Sequence, residues 1–163
     1  MSRILVLGGS RSGKSAFAES RLARAADVDY VATAADRPGD DEWTLRIAAH
    51  RARRPEHWKT IETSDVAAVL AADGPPVLID SITLWVAGVL DEQLEQRADD
   101  LIAAWEATSR SAVAVSDEVG SGVVPESPSG RLFRDALGEV NQRLAASADE
   151  VYLVVAGIPL RLR

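Results

Sequence analysis

The chain has 163 residues, a mass of 17.4 kDa, 47% hydrophobic and 26% charged residues and a formal net charge of −7. That is the balance of one globular domain, it excludes a disordered chain, and its acidity argues against a broad nucleic-acid-binding face and for a small-molecule substrate. With no cysteine there is no disulfide framework, thiolate metal site or cysteine nucleophile.

The opening MSRILVLGG is too short an apolar run for a secretory signal, and the longest later one, VYLVVAGIPL, falls well short of the roughly 20 residues of a membrane span. A cytoplasmic protein with no membrane span is expected. Apolar runs at Ile4–Leu7, Tyr30–Thr33, Val77–Ile79, Ala112–Ser116 and Val151–Val155 predict strands buried on both faces. Helical periodicity runs between them, over Lys14–Arg24, Asp41–Arg53, Ser64–Ala71, Ile82–Leu90, Glu92–Ser109 and Arg131–Ala146. The alternation predicts an α/β fold of three layers around a mainly parallel sheet, in a single domain over residues 1–163. Ser64 and Asp65 are the candidate caps of the third helix, and Gly74-Pro75-Pro76 ends it. Residues 36–40 and Pro125–Gly130 read as loops. Trp43, Trp58, Trp85 and Trp105 read as core or interface residues, with Trp43 and Trp58 flanking a histidine-bearing helix.

The first strand runs into Gly8-Gly9-Ser10-Arg11-Ser12-Gly13-Lys14-Ser15, which fits GxxxxGK[ST], with the strand before it and the helix after it that a phosphate-binding P-loop requires. Glycines let the backbone wrap an anion, and the helix N-terminus turns its free amides toward it. Lys14 would reach the β and γ phosphates, and the Ser15 hydroxyl would ligate Mg²⁺. Of the 18 Lys and Arg residues only Lys14 and Lys59 are lysines, so a lysine here is a marked choice. Arg11 lies in the loop, where phosphate contact and solvent exposure are equally open. A P-loop needs a carboxylate partner for the metal at the end of a neighbouring strand, and Asp80 after Val77-Leu78-Ile79 has that form. Its competing reading is a helix cap for the segment from Ser81.

Two histidines occur, His50 and His57. Helical spacing sets Arg46, His50, Arg53 and Arg54 along one side, where cationic neighbours favour a neutral imidazole and could clamp a triphosphate. That suits a nucleophile at phosphorus, and a solvated basic face with an incidental histidine fits the local pattern as well. His57, beside Trp58, reads as a packing or turn residue. Glu118 opens the Gly120-Ser121-Gly122 turn, either a close backbone approach to a ligand or neighbour or a plain strand-end turn.

The P-loop, Tyr30-Val31-Ala32-Thr33, His50 to Trp58, the string EVGSGVVPE from Glu118 to Glu126, Phe133-Arg134-Asp135 and Val140-Asn141-Gln142-Arg143-Leu144 together resemble the bifunctional cobinamide kinase and cobinamide-phosphate guanylyltransferases of adenosylcobalamin biosynthesis. The likeness runs from end to end. It implies a RecA-like P-loop NTPase subunit that forms a homotrimer, and two reactions. A nucleoside triphosphate (GTP or ATP) phosphorylates the aminopropanol hydroxyl of adenosylcobinamide, and GTP then transfers GMP onto adenosylcobinamide phosphate, giving adenosylcobinamide-GDP and pyrophosphate. It implies that a histidine carries the GMP, and the matching position is His50. Its GTP contacts map onto Gly8, Gly9, Ser10, Arg11, Ser12, Gly13, Lys14 and Ser15, then Thr33, Ala34 and Ala35, then Arg51, Ala52, Arg53 and Arg54, and finally Glu62 and Asp80, with Mg²⁺ on Ser15 and Asp80. Two positions depart from the family's common pattern, Asp80 for a glutamate and Ala49 for a second histidine. A small-molecule P-loop kinase without a covalent step, and a nucleotide-binding regulatory module, are the alternatives.

Overall fold

The computed structural model describes residues 1–34, 45, 48, 52, 54–90 and 93–163. Seven strands form one sheet: β1 (Arg3–Gly8), β2 (Asp29–Ala32), β3 (Lys59–Glu62), β4 (Val77–Asp80), β5 (Ala112–Asp117), β6 (Glu150–Val155) and β7 (Ile158–Arg161), in the order β3-β2-β4-β5-β1-β6-β7. All pairs are parallel except β6 with β7. The helices with described bounds are α1 (Lys14–Leu22), α2 (Val66–Ala71), α3 (Ile82–Gly88), α4 (Leu94–Ala107) and α5 (Pro128–Ser147). Leu45, Ala48 and Ala52 are helical as expected, and the rest of the predicted helix at 41–53 lies outside the described residues, except for Leu45, Ala48 and Ala52 themselves.

Side chains alternate across the sheet, so the strand residues divide into two buried clusters. Leu5, Val31, Ile79, Ala114 and Val151 pack with Leu70 of α2, Trp85 of α3, Trp105 of α4 and Leu137 of α5. Val6, Tyr30, Leu78, Val115 and Val154 pack with Ala18 and Leu22 of α1 and with Trp58. Helices therefore cover both faces, which is why the inner strands are apolar at successive positions.

Two strands escaped the sequence reading. β3 is largely exposed, as its sequence Lys-Thr-Ile-Glu offers no buried run. β7 is exposed along its length and returns from β6 through Ala156 and Gly157, both at positive φ. The expected loop at Pro125–Gly130 is corrected at its end: α5 begins at Pro128 rather than Arg131, because the Ser127 hydroxyl accepts the Gly130 N–H at 3.1 Å and proline suits a first helical position. Asp65, not Ser64, caps α2, accepting the Ala68 N–H at 3.1 Å.

At the N-terminal ends of the strands the sheet is closed by one buried arginine. Arg110, 5% exposed, donates to Asp29 Oδ2 at 2.5 Å, to the Pro75 carbonyl at 2.7 Å and to the Val69 carbonyl at 2.9 Å. It ties β2, α2, the entry to β4 and the entry to β5 to one point. Replacing Asp29 by alanine strands that guanidinium without its counter-charge, an uncompensated buried charge that typically costs about 3–5 kcal/mol. We expect urea denaturation of Asp29→Ala to give an unfolding free energy lower by about 4 kcal/mol, within that range.

Candidate active site

Parallel pairing brings the carboxyl ends of the central strands to one edge of the sheet. Gly8 of β1 lies in register with Asp117 of β5 and with Val154 of β6, while Asp80 of β4 is in register with Ala32 of β2 and Val115 of β5. The crevice outside such strand ends is where open α/β sheets bind ligands.

The turn from β1 to α1 is built for close approach. Gly8 has no room for a side chain: a Cβ there would lie 2.7 Å from the Val154 carbonyl oxygen. Gly13, the N-cap of α1, sits at φ 91°, and a Cβ would come within 3.2 Å of Gly157 Cα. The Gly157 N–H donates to the Ser12 carbonyl at 2.8 Å, pinning the loop to the β6–β7 turn. Arg11 also adopts a left-handed conformation, φ 56°. No side chain caps α1 and its first turn holds no acidic residue. Its leading amides are thus left for an anion, the physical requirement of a phosphate cradle.

Lys14, 8% exposed, donates to the Gly9 carbonyl at 3.1 Å and lies 2.5 Å from Asp117 Oδ1. Sequence reasoning missed Asp117. The available signal was the one that singled out Asp80, an acidic residue closing an apolar strand.

Asp80 accepts a short hydrogen bond from the Tyr30 hydroxyl. The Arg54 guanidinium stacks over the Tyr30 ring, 3.4 Å from its centroid, and donates to Thr60 Oγ1 at 3.2 Å. Burial first, then the Asp80 carboxylate beside it, raises the Tyr30 phenol far above its ordinary 10.0, so it stays a donor. Asp80 does not cap the following helix: Ser81 does, accepting the Leu84 N–H at 3.3 Å. Ser81 is fixed in turn by Thr33, whose hydroxyl donates to the Ser81 carbonyl at 2.7 Å and accepts its N–H at 3.1 Å. That hydroxyl is committed to joining the ends of β2 and β4. Ala52 and Glu62 are exposed. Ala35, His50, Arg51 and Arg53 lie outside the described residues; among the described ones the structure joins Lys14 of the P-loop to Asp117, and Asp80 to Tyr30 and Arg54.

Residues 4–162 match the family described as cobinamide kinase / cobinamide phosphate guanyltransferase. The chain belongs to that family. It is 42% identical to the bifunctional adenosylcobalamin biosynthesis protein CobU of Salmonella typhimurium, across 98% of this chain and 99% of that protein. Identity is 39% with CobU of Escherichia coli, at the same coverage, and 38% with CobP of Pseudomonas aeruginosa, across 99% of this chain and 97% of the relative. Among solved structures, a prototypical ATPase of a type III secretion system superposes with a TM-score of 0.57 at 13% identity, over 93% of this chain and 50% of that one, a likeness of P-loop NTPase fold.

In this family member the Tyr30 phenol has a linkage consequence. Its folded-state pKa is raised, so the stability it contributes is present below the unfolded value near 10.0 and is lost as pH rises past it. Urea unfolding across that range should show stability falling, and Tyr30→Phe should fall less steeply than wild type.

Proposed function

We propose that the chain carries out both reactions of its family at this edge of the sheet, and that guanylyl transfer passes through His50. The observation that carries the reading is the family match over residues 4–162 together with a P-loop whose lysine, free helix amides and neighbouring carboxylate converge. GTP contacts from Gly8 to Ser15, Thr33 to Ala35, Arg51 to Arg54, Glu62 and Asp80 are part of the same proposal.

In the first reaction the aminopropanol hydroxyl of adenosylcobinamide attacks the γ-phosphorus of ATP or GTP. The new O–P bond forms as the bridging bond to the β-phosphate breaks, and the nucleoside diphosphate leaves. In the second, the His50 imidazole attacks the α-phosphorus of GTP, an N–P bond replaces the bond to the bridging oxygen, and pyrophosphate departs. A phosphate oxygen of adenosylcobinamide phosphate then displaces the imidazole, releasing adenosylcobinamide-GDP. Dividing the transfer lets each displacement run in line. Lys14 and the amides of α1 counter the charge that grows on the leaving group, which is typically the largest catalytic contribution.

The residues suit Mg²⁺ as the accompanying cation. Ser15 offers a hydroxyl and Asp80 a carboxylate, α1 packs toward β4, and among the described residues no three acidic or histidine side chains gather into a full cage. A hard cation that keeps its waters and takes phosphate oxygens fits that sparse donor set. When bound it would neutralise part of the triphosphate charge. Tyr30, through its bond to Asp80, holds that carboxylate at the site edge, and Arg54 fixes the phenol from above.

A homotrimer belongs to the same reading. Val155 of β6, Ile158 and Leu160 of the border strand β7, and Leu162 just beyond it are at least half exposed, an apolar group at a sheet border that monomers ordinarily protect. A cytoplasmic setting goes with it, where the nucleotide substrates are made. No described helix is long and apolar enough to cross a membrane.

Incubation with GTP labelled at the α-phosphate should leave acid-labile, alkali-stable radioactivity on the wild-type protein. His50→Ala should take up none while phosphorylating adenosylcobinamide at close to the wild-type rate; equal labelling would remove the covalent step. Sedimentation should find the wild type as a trimer and Leu160→Asp as a monomer, and an unchanged sedimentation coefficient would move the interface away from β7.

A further inference from the structure

We propose that Asp117 is the positioning residue of the phosphate site: it is the internal counter-ion of Lys14, and a bound nucleotide must displace it. The inference rests on the nucleotide reading of the P-loop given above. An ammonium has three donors. In this site one is spent on the Gly9 carbonyl at 3.1 Å, and Asp117 Oδ1 stands 2.5 Å from the same nitrogen. The β and γ phosphates of a triphosphate draw on the same donors. The carboxylate and the phosphate therefore compete for one buried cation.

The backbone of Asp117 is held from three sides. Its N–H donates to Thr83 Oγ1 at 2.7 Å, its carbonyl accepts from Asn141 Nδ2 at 3.1 Å, and the next residue, Glu118, donates its N–H to the Gly8 carbonyl at 3.1 Å. Strand β5, helix α3 and helix α5 thus deliver the carboxylate to the lysine. The side chain is less enclosed: Oδ1 meets the ammonium at 2.5 Å, while the Asp117 side chain keeps 27% of its surface exposed against 10% for Lys14. The backbone is anchored, and the partly exposed carboxylate has solvent to turn into when phosphate takes its place.

Two consequences follow for the reaction. In the empty enzyme Asp117 keeps the ammonium at the depth of the loop instead of letting it swing into solvent. When the nucleotide arrives, the carboxylate is displaced, and the same competition works against retention of the diphosphate or pyrophosphate product. If Asp117 engages Lys14 in about nine of ten empty molecules, apparent nucleotide affinity is lowered about tenfold by the population shift alone.

The experiment is equilibrium titration of the full-length protein with GTP in the presence of a magnesium chelator. Asp117→Asn keeps the shape and removes the charge; Asp117→Ser is the second variant should the first fold poorly. We expect about tenfold tighter GTP binding for either. Glu118→Gln controls for general relief of like charge, since Glu118 is the adjacent acid and its carboxylate instead accepts the Gly120 N–H at 2.7 Å. It should change affinity by less than about twofold, a change too small to report on Lys14. A merely structural role for Asp117 would weaken binding, the opposite sign. Unchanged or weaker binding in both Asp117 variants, or an equal gain in Glu118→Gln, overturns the exchange while leaving the nucleotide site standing. Wild-type protein that binds no GTP either with the chelator or with Mg²⁺ added back overturns the nucleotide site and the exchange together.

Discussion

The start of α1 is an incomplete helix end, and the rest of the molecule is arranged around its deficit. The N-cap is a glycine with no side chain to offer, the first turn carries no acid, and the buried Lys14 points its ammonium to the same place. Backbone amides and a cation at one point demand an anion. The sheet supplies the geometry that keeps them there: β1 is central and paired on both sides, and the β6–β7 turn reaches over to hold Ser12 through Gly157. Asp117 answers the demand for the lysine alone, which leaves the helix amides for phosphate.

The two ends of the sheet treat polar groups differently. At the N-terminal end Arg110 directs three nitrogens to three oxygens, and the buried charge is consumed within the protein. At the other end the buried Ser12 Oγ, Ser116 Oγ and Asn141 Oδ1 have no hydrogen-bond partner among the described residues, beside the Lys14–Asp117 ion pair. Trp105 Nε1 and Ser147 Oγ share that condition elsewhere, so an orphan atom alone decides nothing. The concentration around the ends of β1 and β5 does, because it coincides with an uncapped helix and an ion pair. Buried groups without partners carry a desolvation cost that structural positions avoid and that a ligand can relieve.

The fold was legible wherever burial dictated the sequence. The central strands β1, β4, β5 and β6 are apolar because helices cover both faces, and the P-loop could be read because its glycines answer a steric demand at Gly8 and Gly13. β3 and β7 were not legible, since each is an exposed border strand whose hydrogen bonds, not its side chains, make it a strand. The early start of α5 was hidden by composition: Ser, Pro and Gly together suggest a loop, and only their order, a serine cap followed by proline, marks a helix. Asp80 was singled out because a P-loop asks for a carboxylate at the end of a neighbouring strand. Asp117 closes an apolar strand in the same way and was passed over, because nothing in the spacing says that β5 lies between β1 and β4.

That strand order is what separates the two carboxylates into two tasks. A strand inserted between the P-loop strand and the Asp80 strand carries its own terminal acid up to the lysine, and holds Asp80 one strand further off, where Tyr30 and Arg54 rather than Lys14 set its surroundings. Were β4 the direct neighbour of β1, Asp80 would face the lysine in the place that Asp117 takes. With β5 interposed, the acid near the lysine can be exchanged for phosphate while the acid beside the tyrosine stays fixed. Arg54 adds the remaining link, since it ends the arginine-rich segment that begins at position 51 and stacks on the ring that holds Asp80. Arg54 and Asp80 are therefore coupled through a single aromatic ring.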